Sequence, residues 1–301
     1  MTRTLNEPSR EKTAERLLKS SANKFYDPEV DIDWDAPLAD GQYFLPQHRS
    51  SLYGTPLWDR LTPEQRIELT KHEVVSVATN GIWFEILLMQ ILLKQVYNVD
   101  PTTSHAQYAL TEIADECRHS TMFAKMASRF GVPAYGPVKW LRQVAKILPM
   151  IAHGPAAYGS VLVAEEILDR LQRDQMNDPD IQPLVRMVNR IHVLEEARHV
   201  TFAREEVNRG MGKLSRPVLA WQRLLMAIVS FAIVRTLINP NVYKSVGISP
   251  REGRKAAMAN PHWRETITYA GEKIMPFLQE AGLVKGPGMI LWRRSGLLPK
   301  K

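Results

Sequence analysis

The chain has 301 residues, 45% of them apolar and 24% charged, which is the balance of a folded protein rather than a disordered one. Its single cysteine, Cys117, excludes a disulfide scaffold and a thiolate-built zinc or iron–sulfur site. Lysine and arginine exceed aspartate and glutamate by 39 to 32, but no Lys/Arg-rich run of the kind that grips nucleic acid occurs, so no nucleic-acid partner is expected.

Residues 1–61 read as an N-terminal arm, largely irregular. Residues 1–24 are polar and lack the apolar stretch of a secretion signal, which points to a cytoplasmic protein. Residues 27–40 carry six acidic side chains and two prolines, an extended arm for the surface or a partner subunit. Thr62-Pro63-Glu64-Gln65 then starts a helix, with Thr62 as cap, proline in the first turn and Gln65 closing a capping box. Its pattern runs to residue 97, with a kink expected at Asn80-Gly81, and Asp100-Pro101 breaks it. A second long helix spans 103–130 and stops at Gly131. A shorter one follows at 138–148.

A third long helix is expected over 156–175 and a fourth over 183–208, ended by Gly210. The apolar stretch 217–238 is interrupted by Arg223 and Arg235. Its uncharged centre is too short for the roughly 20 residues of a membrane span, so it reads as a buried helix. Ser249-Pro250 and Asn260-Pro261 open two short helices. Strand-like alternation is nearly absent. The chain is therefore all-α: a single domain over 62–284, with a four-helix bundle core at 62–210, extra helices at 215–284 and a basic C-terminal tail at 285–301.

An internal repeat carries the chemistry. Residues 115–121 read DECRHST and residues 195–201 read EEARHVT, an offset of 80. Each contains Glu-x-x-His, Glu116/His119 and Glu196/His199, whose i, i+3 spacing puts both side chains on one helix face. The offset also pairs Glu85 with Glu165, and each lone glutamate precedes its Glu-x-x-His by 31 residues. One Glu from each of two helices plus a Glu-x-x-His from each of two others is the donor set of a di-iron or di-manganese carboxylate site. Hard oxygen donors with imidazole suit iron, with manganese second.

Glu165 and Glu166 compete for one place. The offset and the helical period select Glu165, leaving Glu166 solvated or beside the ligands. His192 lies four residues before Glu196 on the same face, as a seventh ligand or a hydrogen-bonded core histidine. Glu112 occupies its place in the first half, for ligation or a surface salt bridge.

The pattern Glu85, Glu116-x-x-His119, Glu165, His192-x-x-x-Glu196-x-x-His199 resembles the p-aminobenzoate N-oxygenase (AurF-type) branch of ferritin-like di-iron oxygenases, over about 62–210. The resemblance implies a ferritin-like bundle holding two iron ions, with O₂ as co-substrate. It implies oxidation of an aromatic amine, of amino-aryl carboxylate type, toward hydroxylamine and nitro levels. An external electron donor and a homodimer come with it. Tyr108, Arg118, Tyr158, Arg198 and Arg235 are candidates to anchor a substrate carboxylate. A di-iron C–H hydroxylase on the same site is the nearest alternative. Ferritin-like iron storage, a ribonucleotide reductase small subunit and a purely structural bundle are readings of other classes.

Overall fold

The computed structural model describes residues 7–299. Residues 1–6 of the polar start and 300–301 of the basic tail lie outside them. In chain order the helices are α1 (Glu7–Asn23), α2 (Pro28–Asp31), α3 (Pro56–Asp59), α4 (Pro63–Val96), α5 (Ser104–Arg129), α6 (Lys139–Ala145), α7 (Leu148–Ile151), α8 (Gly154–Asn177), α9 (Pro183–Met211), α10 (Arg216–Thr236), α11 (Pro250–Ala259), α12 (Pro261–Ala270), α13 (Ile274–Glu280) and α14 (Met289–Ser295). Turns of 3₁₀ helix stand at Gln47–Arg49, Pro240–Val246 and Gly286–Gly288. Among the described residues the sole β contact is a bridge between Tyr43 and Ile181.

Side chains set the helix starts. Thr62 accepts from the Gln65 amide while Gln65 accepts from the Thr62 amide, completing the capping box ahead of α4. Thr103, Ser249 and Asn260 cap α5, α11 and α12 through a single bond each, accepting from the amides of Ala106, Glu252 and His262. Gly131, at φ +65°, turns the chain out of α5 as a left-handed residue. α4 runs unbroken through Asn80-Gly81, where a kink was expected; the Asn80 side-chain amide donates to the Ser76 carbonyl one turn back, and both residues are fully buried in the bundle.

α4, α5, α8 and α9 form the four-helix core. α4 packs chiefly with α5, and α8 with α9, so each half of the internal repeat supplies one helix pair. Contacts of α5 with α9 and of α4 with α8 join the pairs. The connection from α5 to α8 is the long one, and α6 and α7 lie in it.

The ends of the chain are more ordered than their sequence suggests. α1 occupies a segment expected to be irregular. Ala14 and Leu17 join the main core, and the Arg10 guanidinium holds both oxygens of Glu206 at 2.9 and 2.7 Å. Its apolar stripe is thin, so docking against α5 and α9 supplies most of its stability. The acidic segment 27–40 lies on this chain's own α5. Arg129 donates to the carbonyls of Trp34 and Ala36, and Lys125 pairs with Glu29. At the other end, the stretch expected as a basic tail contains α14. Trp292 is fully buried there and α14 packs on α10, its arginines pointing outward while the indole anchors.

α10 is covered on one side only. Leu225, Met226, Ala227, Ser230, Ile233 and Val234 are buried toward α8 and α14, whereas Val218, Trp221 and Ile228 are exposed. By length and composition α4, and α10 with the turn after it, are apolar enough to cross a membrane. α4 is committed to the bundle by Glu85 and its buried face.

The cap on α4 is testable. Thr62→Ala is expected to lower unfolding free energy by about 1 kcal/mol. Urea denaturation should show a lower midpoint with an unchanged slope; an unmoved midpoint would mean that packing alone sets the start of α4.

Candidate metal centre

The seven residues singled out by the repeat converge at the middle of the bundle. Glu85 comes from α4, Glu116 and His119 from α5, Glu165 from α8, and His192, Glu196 and His199 from α9. All are at most 2% exposed. Their donor atoms fall into three overlapping groups, each within 4.8 Å: Glu116, His119, Glu196 and His199; Glu85, His119 and His192; Glu165, His192 and Glu196. Glu116 and Glu196 sit at the centre. The His199 Nδ1 atom is 2.9 Å from Glu196 and 3.1 Å from Glu116, and the His119 Nδ1 atom is 3.2 and 3.4 Å from the same pair.

Hydrogen bonds aim the imidazoles. His192 bonds through Nδ1 to Gln172 Oε1 at 2.8 Å, which turns Nε2 inward, 3.7 Å from Glu85 and 3.8 Å from Glu196. His119 and His199 use the opposite nitrogen. His119 Nε2 bonds to Glu195 at 2.9 Å and His199 Nε2 to Asp115 at 3.2 Å. An Nε2–H donated to these carboxylates leaves each Nδ1 lone pair facing the centre. Arg118 and Arg198 flank Asp115 and Glu195, offsetting their charge. Ser120 donates to Glu85.

Asp115 and Glu195 were not singled out in the sequence, although the signal was there. They are related by the same offset of 80 and are acidic in both halves. Gln172 has no repeat partner of its type, since Leu92 stands at the matching position, and sequence gave no cue to it.

The residues fit a pair of divalent cations. Glu85 Oε1, Glu165 Oε2, Glu196 Oε2 and His192 Nε2 are buried without a hydrogen-bond partner. Burial pushes the Glu85 carboxyl up, and burial plus the charges of Glu196, Glu116 and Glu85 pushes Glu165 well up. Burial acts against the imidazolium of His119, but Glu116, Glu195 and Glu196 outweigh it and hold that ring well above its ordinary range; His199 behaves likewise through Glu196 and Glu112. The cluster is thus short of positive charge, and two metal ions are the counter-charge that such a carboxylate–imidazole set accommodates.

The structure separates two neighbours. Glu165 points to the cluster, whereas Glu166 forms a bidentate pair with Arg204 at 2.9 and 2.5 Å. Glu112, for which a surface salt bridge was one reading, is 1% exposed and makes no ion pair among the described residues; burial raises its carboxyl to about 8.

A cavity of about 310 Å³ ends on Glu165. Trp83, Phe84, Leu88, Val161, Leu225 and Ile233 are among its walls. Arg142 is the basic residue of its lining, and it is engaged: its guanidinium donates to the carbonyls of Pro137 and Tyr135 and lies 4.5 Å from the Trp83 ring centre. None of Tyr108, Arg118, Tyr158, Arg198 and Arg235, the candidate carboxylate anchors, lines it. Arg235 lines a separate cavity of about 250 Å³.

A helical bundle with this centre is a dimetal-carboxylate protein. A family model described as p-aminobenzoate N-oxygenase AurF matches residues 7–282, and the chain belongs to that family. Two uncharacterized proteins, from Mycobacterium tuberculosis and Mycobacterium bovis, are each 27% identical over 288 residues, spanning 92% of this chain and 84% of theirs. Among solved structures, a mutant R2-like ligand-binding oxidase with an aerobically reconstituted Mn/Fe cofactor aligns with a TM-score of 0.43 and 14% identity, over 96% of this chain and 90% of that one. Family membership and the buried cluster make the chain an enzyme of the di-iron oxygenase kind, with manganese as the second metal that fits.

The crossed carboxylates give a direct test. Glu195→Gln and Asp115→Asn are each expected to weaken metal binding roughly 10–100-fold. Titration of Fe(II) against a competing chelator measures it, with circular dichroism as the check on folding. Wild-type affinity in both variants would deny the two carboxylates a role in aiming the rings.

Proposed function

We propose that the chain is an O₂-activating di-iron oxygenase that oxidises the amine of an aromatic substrate toward the hydroxylamine and nitro levels. In this reading Glu85, Glu116, His119, Glu165, His192, Glu196 and His199 hold the two ions, which when bound supply the reduction of O₂. The observation that carries the reading is the cavity ending on Glu165: a mainly apolar space opens directly on the donor cluster. Its first step balances as R–NH₂ + O₂ + 2e⁻ + 2H⁺ → R–NHOH + H₂O, with the electrons from an external donor.

The chain's own residues would divide the work. Trp83, Phe84 and Leu88 offer flat and branched apolar surface to an aromatic ring and exclude water. Asp115, Glu195 and Gln172 keep protons on the outward ring nitrogens, so that the inward ones remain donors. Since Arg142 is engaged, the cavity favours an aryl amine with an apolar body over an amino-aryl carboxylate.

The test is anaerobic loading with Fe(II), exposure to O₂ with a panel of aryl amines, and product analysis. Hydroxylamine or nitro products support the reading; ring or side-chain alcohols with the amine intact would replace it with C–H hydroxylation. Metal analysis is expected to give about two ions per chain. Glu116→Ala and Glu196→Ala should lose the dinuclear centre while the bundle stays helical. Glu165→Ala should lose metal where Glu166→Ala loses only the pair with Arg204; two ions retained in Glu165→Ala would refute its assignment.

His192 separates a seven-residue centre from the ordinary six. His192→Gln is expected to keep the fold and to change the transient absorption that follows mixing of the reduced protein with O₂, with amine oxidation lost. A wild-type transient and wild-type turnover would place His192 outside the ligand set.

A further inference from the structure

The mouth of the apolar cavity differs from the surrounding surface. Val144, Ile147 and Ile151 on one side and Trp221 and Ile228 of α10 on the other line the cavity, yet each is at least 39% exposed. Trp140 and Met150, on α6 and α7, are 68% exposed. An exposed apolar patch continuous with a cavity marks a surface meant to be covered.

Its charge is of one sign. The two segments that frame the mouth lie within residues 117–164 and 207–251, and neither range contains an aspartate or glutamate. They present exposed Lys139, Lys146, Lys213 and Arg216. The third wall, α4, carries only the buried Glu85 among its acids after Glu73. Lys94 of α4 ties the wall to α7 by donating to the carbonyls of Pro149 and Met150.

We propose that α6, α7 and the outer face of α10 dock on an anionic lipid bilayer, and that the cavity behind them admits a lipid-soluble substrate from that bilayer to the metal centre. The docking stands on the patch itself; the substrate half rests on the oxygenase reading above. An acidic protein partner fits less well. The exposed groups are Trp, Met, Ile and Val, which offer an acidic surface little to hydrogen-bond. Trp140 and Trp221 are the rings that settle at a lipid–water boundary, while the lysines meet anionic headgroups. Between Arg223 and Arg235, α10 is uncharged, yet it is packed on one side and leaves Trp221 and Ile228 exposed on the other, as a helix resting against acyl chains would. An apolar molecule then reaches Glu165 without crossing water.

The experiment is sedimentation of the full chain with vesicles of phosphatidylcholine alone or mixed with phosphatidylglycerol. Binding to the mixed vesicles is expected, with little to the neutral ones. Lys139→Gln with Lys146→Gln should weaken it roughly 30-fold, the loss for two basic groups at an anionic surface. Trp140→Ser with Met150→Ser should abolish it while helical content and metal content hold.

Failure to bind mixed vesicles, or unchanged binding after loss of Trp140 and Met150, overturns the docking. So does a dimer in light scattering that the same pair of substitutions dissociates, since the face would then belong to a second copy. For the cavity, binding of 4-dodecylaniline is followed by its own fluorescence, with metal-free and iron-loaded protein. Ala232→Trp, which fills the cavity wall, should lose the probe and keep vesicle binding; unchanged probe binding overturns the cavity's role. Vesicle and probe binding without amine oxidation would sustain this proposal and end the N-oxygenase reading.

Discussion

Four carboxylates buried within reach of one another are the constraint around which the bundle is arranged. An uncompensated buried charge costs several kcal/mol, and a whole domain is stable by only about 5–15 kcal/mol. Without metal, the cluster answers in two ways. Glu85 and Glu165 are pushed toward their neutral forms, while Glu116 and Glu196 stay low against burial because His119 and His199 hydrogen-bond to them. Metal ions would supply the same counter-charge without drawing protons onto the rings, so metal binding and bundle stability are linked.

The centre is polar on one side and apolar on the other. Toward the outer faces of α5 and α9, Asp115, Glu195, Arg118 and Arg198 form a charged layer behind the imidazoles. Toward α4, α8 and α10 the cavity is built from Trp83, Phe84, Val161, Leu225 and Ile233. The charged layer fixes the donors through short bonds. The apolar side leaves room for a molecule and lowers the local dielectric, which strengthens each electrostatic interaction at Glu165.

The sequence was legible where local chemistry and the repeat spoke together. Capping at Thr62 marked the first of the four core helices, and the offset of 80 pointed to Glu85, Glu116, His119, Glu165, Glu196 and His199, which the fold brings together. Periodicity, together with that offset, put Glu165 rather than Glu166 on the cluster side. It was not enough for α1 or α14, because each owes its order to docking on distant helices, through Arg10 with Glu206 and through Trp292. Asp115 and Glu195 escaped for another reason. A carboxylate beside a ligand on a helix points elsewhere by about 100° per residue, and only the opposing helix shows what it meets. The half-covered state of α10 is likewise a tertiary fact, invisible in an apolar run.

The bonds from His119 to Glu195 and from His199 to Asp115 cross between the two halves of the duplicated sequence. Each repeat provides rings that the other repeat aims. Neither half is a self-sufficient metal-binding module, and a single copy folded alone would carry an unguided imidazole. A change at one acidic position is therefore felt through a histidine in the other half, and the four positions act as one unit across the two copies.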